Sequence, residues 1–148
     1  MNLIKLYNVA HMLYKKNIPI IPKLIYYIQF LVFNSSVPYK TKIGKNTKFA
    51  YGGIGVVIHE RTSIGSNCML GQSITIGGKS KEYNVPQIGN YVYIAAGARI
   101  IGNVKVGNNV IIGANAVVTK DIPDNCIVAG IPAKIIKTNI NIHDYEDM

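Results

Sequence analysis

The chain has 148 residues, 49% hydrophobic and 16% charged, with 14 Gly and 6 Pro, which describes one domain with a sizeable apolar core and excludes both intrinsic disorder and a two-domain enzyme. Sixteen Lys and Arg against 7 Asp and Glu leave a net charge of +9, and only Arg61 and Arg99 are arginines. Such a surplus favours a polyanionic partner; because the lysines are scattered, Trp is absent and base-reading Arg is scarce, nucleic acid is excluded.

The first forty residues read as a helical leader. Leu6, Val9, Ala10, Leu13 and Tyr14 recur at helical spacing, Pro19 and Pro22 interrupt the chain, and Leu24 to Phe33 resumes as a second short helix ended by Asn34-Ser35-Ser36-Val37-Pro38. The start lacks a signal peptide's long apolar region and cleavage site, and the apolar stretch 24–33 is well short of the ~18 residues needed to cross a bilayer. Residues 1–40 are expected to cap an open end of the fold that follows. The alternative is peripheral docking to a membrane or a partner through Tyr26, Tyr27, Phe30 and Phe33, with Lys15, Lys16 and Lys23 nearby.

From residue 41 a six-residue rule takes over. Aliphatic residues stand at Ile58, Ile64, Leu70, Ile76, Ile88, Ile94, Ile100, Val106, Ile112 and Val118; Ile43 and Phe49 precede them, with a three-residue insertion around Tyr51-Gly52-Gly53 and an excursion from 77 to 87. Gly follows the aliphatic position at Gly44, Gly65, Gly71, Gly77, Gly89, Gly107 and Gly113. The fourth position is Asn46, Asn67, Asn103, Asn109, Asn115 or Gly97, residues that tolerate positive φ. Small or apolar fifth positions alternate inward with the first, as in short strands. Apolar recurrence at six excludes a helix and describes a β-solenoid, whose packed interior leaves function to its outside. Cys68 and Cys126 lack metal spacing and read as buried thiols of a cytoplasmic protein. Residues 41–137 form the repeat domain and 138–148 a polar tail.

The hexad, Ile112-Gly113-Ala114-Asn115-Ala116-Val117-Val118-Thr119-Lys120-Asp121-Ile122-Pro123 and Ala129-Gly130-Ile131-Pro132-Ala133-Lys134 resemble the hexapeptide-repeat acyltransferases. Gly55-Val56-Val57-Ile58-His59-Glu60, Gln72-Ser73-Ile74-Thr75-Ile76-Gly77-Gly78 and Ala96-Gly97-Ala98-Arg99-Ile100-Ile101-Gly102-Asn103 are similar to the serine acetyltransferase branch, and the N-terminal segment resembles the short leader of serine-acetyltransferase-like proteins from surface-polysaccharide clusters. The resemblance implies a mainly β fold, a left-handed parallel β-helix with about three rungs per coil, a homotrimer, and acetyl-CoA bound between neighbouring subunits. It places Ala96, Gly97 and Ala114 in the acetyl-CoA groove, with Lys120, Gly130 and Lys134 toward the nucleotide phosphates.

On the acceptor side the sequence departs from the serine enzymes. Their catalytic His and the Asp before it align near Gly52 and Tyr51, and the Arg-His pair of their extruded loop aligns at Asn84 and Val85. Losing Asp and Arg removes partners for an amino acid's ammonium and carboxylate. The expectation is therefore acetyl transfer to a hydroxyl of a sugar in surface-polysaccharide synthesis, with L-serine as the alternative acceptor and a non-catalytic acetyl-CoA-binding scaffold as a further alternative. Of His11, His59 and His143, only His59 lies in the repeats; it replaces a turn Gly and is the expected general base. Glu60, its neighbour in a strand, faces the other way and is not its orienting partner. Tyr51, Gly52, Tyr83 and Asn84 are the expected acceptor contacts. A zinc hydratase on the same solenoid needs three converging His, so no metal is expected.

Overall fold

The computed structural model describes residues 2–145. Two α-helices come first, α1 (Leu3–Lys15) and α2 (Ile21–Phe33). The side chain of Asn2 caps α1 by accepting from the Ile4 N–H, and Pro22 sits in the first turn of α2, where its missing donor costs nothing. Pro22 therefore opens the second helix three residues before the expected start at Leu24.

Among the described residues, fourteen short strands build three sheets, parallel except for the last strand, that form the faces of a prism. The first face stacks β1 (Lys42–Ile43), β4 (Ser63–Ile64), β7 (Gln87–Ile88) and β10 (Lys105–Val106). The second stacks β2 (Lys48–Phe49), β5 (Met69–Leu70), β8 (Val92–Ile94), β11 (Val110–Ile112) and β13 (Cys126–Ala129), closed by the antiparallel β14 (Lys134–Thr138). The third stacks β3 (Val57–Ile58), β6 (Thr75–Gly77), β9 (Arg99–Ile101) and β12 (Val117–Val118).

Register gives the coil length. Val110 pairs with Val92 and Val117 with Arg99, in each case a step of 18, or three hexads. Lys48 pairs with Met69, a step of 21 that contains the three-residue insertion, and Ser63 with Gln87, a step of 24 that contains the excursion at 77–87. The aliphatic positions Ile58, Ile64, Leu70, Ile76, Ile94, Ile100, Ile112 and Val118 are all buried, and the fifth-position Cys68, Ile74, Val92, Ala98, Val104, Val110 and Ala116 join them in one core.

The corners explain the rest of the hexad. At the corner from first to second face, Gly44, Gly65, Gly89 and Gly107 stack directly. A Cβ on Gly65 would lie 2.3 Å from the Gly89 carbonyl oxygen, and one on Gly89 would lie 2.5 Å from that of Gly107. These glycines make room for the coil above. Next to them, Asn90, Asn108 and Asp124 each accept, through Oδ1, a backbone N–H of the coil below, at 2.7–2.8 Å. Positive φ belongs to the fourth position, and is adopted there by Ser73 and Tyr91 as well as by the asparagines and Gly97. In the rung after Ile100 it falls on Gly102, one residue before the expected Asn103.

The helices cover one end of the prism. Leu3 and Tyr7 of α1, with Phe33 and Val37, belong to the same hydrophobic cluster as Phe49 and Val56. Tyr7 donates its hydroxyl to the Thr41 carbonyl at 2.5 Å, and burial pushes its phenol up to about 12. His11 donates from Nδ1 to the Tyr39 carbonyl and stacks on Tyr7, which makes it a structural residue. At the other end Ile140 is buried and Asn109 holds the returning chain through the Ile140 carbonyl and the Ile142 N–H. Cys68 and Cys126 are buried free thiols whose pKa burial raises, with Asp124 adding to the rise at Cys126.

Candidate active site

His59 stands at the corner from third to first face, directly after β3, and its backbone is fixed on both sides. Its N–H donates to the Ile76 carbonyl at 2.8 Å and its carbonyl accepts from the Thr62 N–H at 3.0 Å. The ring is half-buried, and Nδ1 accepts the Arg61 N–H at 3.2 Å. One coil above, Gly78 forms a wall without a side chain; a Cβ there would approach His59 Cδ2 to 3.9 Å and Val85 Cγ1 to 3.3 Å. Glu60 turns away and pairs with Lys40 at 3.8 Å.

The loop after Gly77 leaves the solenoid at this same corner. Val85 and Pro86 are buried at its root, while Tyr83 and Asn84 are exposed. Arg61 ties the loop to the His59 turn: its guanidinium lies 4.1 Å from the centre of the Tyr83 ring and Nη2 donates to the Tyr83 carbonyl at 2.6 Å. Glu82 bridges to Lys79 at 3.0 Å and accepts the Asn103 N–H at 3.3 Å; these two contacts, Lys79 first, hold its carboxyl below the usual carboxylate range. The loop is thus pinned at two points to the coils below and above it. Sequence reading did not single out Arg61, because nothing in the hexad says that a corner side chain will meet a loop returning 22 residues later.

The remaining expected residues lie at the opposite edge of the third face, at its corner with the second. Tyr51 and Gly52 adopt φ of 48° and 74° in a tight turn over Ala50–Gly53, and Tyr51 is exposed. Higher in the same column, the Asn115 N–H donates to the Ala96 carbonyl at 2.9 Å and the Val117 N–H to the Gly130 carbonyl at 3.0 Å. Ala96 and Gly97 are half-buried, and Ala114, Gly130 and Lys134 are exposed. Lys120 is separate from these: it follows β12 and stands above His59 at the other corner. One chain therefore divides the expected site residues into two columns. Tyr51, Gly52, Ala96, Gly97, Ala114 and Gly130 line one edge of the third face, and His59, Tyr83, Asn84 and Lys120 the other. Arg99 lies between them, with Nη1 donating to the Ser73 and Gly97 carbonyls at 2.6 Å.

Among the described residues, no group of three or more His, Cys, Asp or Glu is placed to hold a metal ion. Three parallel faces, glycine corners and an 18-residue coil define a parallel β-helix of hexapeptide repeats. Residues 86–120 match the family described as bacterial transferase hexapeptide (six repeats), and the fold is the left-handed form of that β-helix. It is similar to a serine acetyltransferase of Synechococcus elongatus, 37% identical over 132 residues that make up 88% of this chain and 54% of the relative. A serine acetyltransferase of Staphylococcus epidermidis is 40% identical over 131 residues, 87% of this chain and 61% of the relative. Among solved structures, serine acetyltransferase from Brucella abortus in complex with coenzyme A superposes with a TM-score of 0.81 at 32% identity, covering 91% of this chain and 54% of that one. The chain spans between half and two thirds of the length of these relatives.

Proposed function

We propose that this protein transfers an acetyl group from acetyl-CoA to the hydroxyl of a small acceptor, and that three copies assemble so that one chain's small-residue column faces the next chain's His59 column. The two-column division carries the reading. The Ala96, Ala114 and Gly130 column offers a strip of small side chains for a pantetheine arm to approach the backbone but no base, and the His59 column offers an imidazole but no such strip. Lys120 and Lys134 supply cations for the coenzyme's phosphates, which gives part of the +9 charge a use. The two buried free thiols are in keeping with the reducing cytoplasm, where we place the protein.

In the reaction the acceptor oxygen attacks the thioester carbonyl, its proton passes to His59, and the collapsing tetrahedral intermediate expels coenzyme A as a thiolate that takes the proton back. The Arg61 N–H contact defines the tautomer that precedes this step. With Nδ1 accepting, a neutral ring carries its hydrogen on Nε2 and is a donor there. Action as a base through Nε2 requires Nδ1 to give up the Arg61 N–H, by a half-turn of the ring, and the hydrogen to pass from Nε2 to Nδ1 by exchange with solvent.

L-serine is the first acceptor to test. The relatives described above are named for it, whereas none of those names contains the polysaccharide sugar that sequence reading had ranked first. Arg61, beside the loop, also supplies a guanidinium for a carboxylate, which offsets the Arg missing at Asn84. One observation favours an acceptor without an ammonium group, such as a sugar: Glu60 and Glu82, the carboxylates of this region, are engaged by Lys40 and Lys79. Thiol release from acetyl-CoA across a panel of L-serine and sugars decides between them. Saturable turnover with L-serine supports the serine reading, turnover with sugars alone replaces it, and no thiol release with any hydroxyl acceptor overturns the assignment.

A further inference from the structure

Helix α2 carries a single charge, Lys23, among its 13 residues. Pro22, Gln29 and Phe33 face the protein, yet the opposite stripe, at spacings of four, three and four, is Ile20, Leu24, Tyr27 and Leu31, exposed by 74%, 56%, 52% and 82%. Ile28 and Phe30 widen it. Two of the leader residues expected to reach outward turn inward instead: Phe33 is buried and Tyr26 bonds Ser36 through its hydroxyl at 2.7 Å. A soluble helix places charge opposite its buried face; one whose outer face is apolar but for a single lysine needs a second apolar environment. With 13 residues α2 is far below the ~20 needed to span a bilayer, and no described helix is long and apolar enough to cross one.

Charge selects the occupant. No Asp or Glu occurs before Glu60, while that stretch contains Lys5, Lys15, Lys16, Lys23 and three further lysines up to Lys45, followed by Lys48. On α1 the exposed stripe is Lys5, Val9, Met12 and Lys16, apolar residues bracketed by two ammonium groups. Two copies meeting through this surface would set like charges against each other, since Glu60, the acid beside Lys23 and Tyr27, is already engaged by Lys40, whereas an anionic lipid layer takes the apolar side chains between its acyl chains and the lysines at its headgroups. We infer that the α1–α2 leader is a membrane-surface anchor, with the Ile20, Leu24, Tyr27 and Leu31 stripe of α2 lying in the interface of an anionic bilayer. This inference is independent of the acceptor and of the role of His59.

The test is flotation of the full chain with vesicles of phosphatidylglycerol and phosphatidylcholine, and with phosphatidylcholine alone. The wild type is expected to float with the anionic vesicles, more weakly at 0.5 M salt and with neutral vesicles. The Leu24→Ser/Leu31→Ser variant is expected to lose at least tenfold in partitioning, and Lys15→Glu/Lys16→Glu/Lys23→Glu at least as much, at about fivefold per lysine. Leu31→Ser alone, at the most exposed position of the stripe, keeps the test valid if the double variant fails to fold; its expected loss is several-fold. Wild type that stays unbound, or binding unchanged by these substitutions, overturns the inference. So does sedimentation showing that Leu31→Ser breaks up an assembly while vesicles bind nothing, which would assign the stripe to a second copy.

Discussion

Gly65→Ala tests the packing of the corners. Its Cβ would stand 2.3 Å from the Gly89 carbonyl oxygen and 2.5 Å from both the Gly89 carbonyl carbon and Asn90 Oδ1, atoms of the coil above. Restoring an ordinary contact of about 3.2 Å opens the two coils by close to 0.9 Å at this corner. The bonds that hold them there are the Gly65 N–H to the Ile88 carbonyl at 3.0 Å and the Ser66 N–H to Asn90 Oδ1 at 2.8 Å. Stretched by 0.9 Å, both pass beyond hydrogen-bonding range. Two bonds at about 1 kcal/mol each, with about 1–3 kcal/mol of overpacking strain, give a loss of roughly 3–5 kcal/mol. For a domain of this size that is a fall in Tm of about 6–20 °C. The matched control is Gly77→Ala, also in the second position of the hexad, whose added Cβ would meet nothing closer than Ile101 Cδ1 at 3.6 Å; it is expected within about 0.5 kcal/mol of wild type. Thermal unfolding of the three proteins at one scan rate and one protein concentration provides the comparison. A Gly65→Ala midpoint within 2 °C of wild type, or equal effects at the two positions, would refute the stacking argument.

Other substitutions address the site and the core. His59→Ala and His59→Gln should both lower kcat by about 10²–10⁴; if Gln, which keeps an N–H donor, restores most of the rate, then His59 is a donor and not the base. Arg61→Ala, which removes the Tyr83 ring contact and the bond to its carbonyl, should raise KM for the acceptor several-fold and leave KM for acetyl-CoA nearly unchanged, as two-substrate kinetics would report. Tyr7 has a folded pKa of about 12 against 10 in the free phenol, so the stability it contributes is complete below pH 10 and is lost as pH rises from 10 to 12; urea midpoints of wild type minus Tyr7→Phe should show that slope. Gln29 is buried with neither amide atom hydrogen-bonded, so Gln29→Met should raise the urea midpoint, by about 1–2 kcal/mol in stability.

The solenoid was legible because one short-range rule governs it. An aliphatic residue every sixth position requires that the chain turn once per rung, and Ile58, Leu70, Ile94 and Ile112 are as buried as that rule demands. The purpose of the second-position glycines was less legible. Composition points to backbone freedom, but Gly65 and Gly89 are needed for the atoms of the next coil, a distance that no single rung encodes. Conversely, Tyr91 takes a positive φ that its residue type does not announce, because the corner geometry and not the side chain dictates the turn. For the site, the hexad placed His59 and Ala96 outside the core, but which of them share a corner depends on the insertions at 51–53 and 77–87, since every added residue not extruded would turn the following rungs to another face. The contacts of Arg61 and the exposure of the α2 stripe depend on tertiary contacts made or left unmade, which periodicity alone does not encode.

The prism also sets rules for how such a chain can change in length. Six residues added within a face would carry everything downstream to the next face, and eighteen would restore it, whereas a loop extruded at a corner disturbs nothing above or below. The coil of 24 residues does this, with its excess leaving beside His59. Insertions and deletions are therefore confined to the corners, and the corner that bears the loop is separated by a whole face from the Ala96 and Ala114 column. Under the proposed reading, a lineage could lengthen, shorten or rewrite what greets the acceptor while leaving the seat of the acyl donor untouched, which makes the hydroxyl partner the most easily revised part of the molecule.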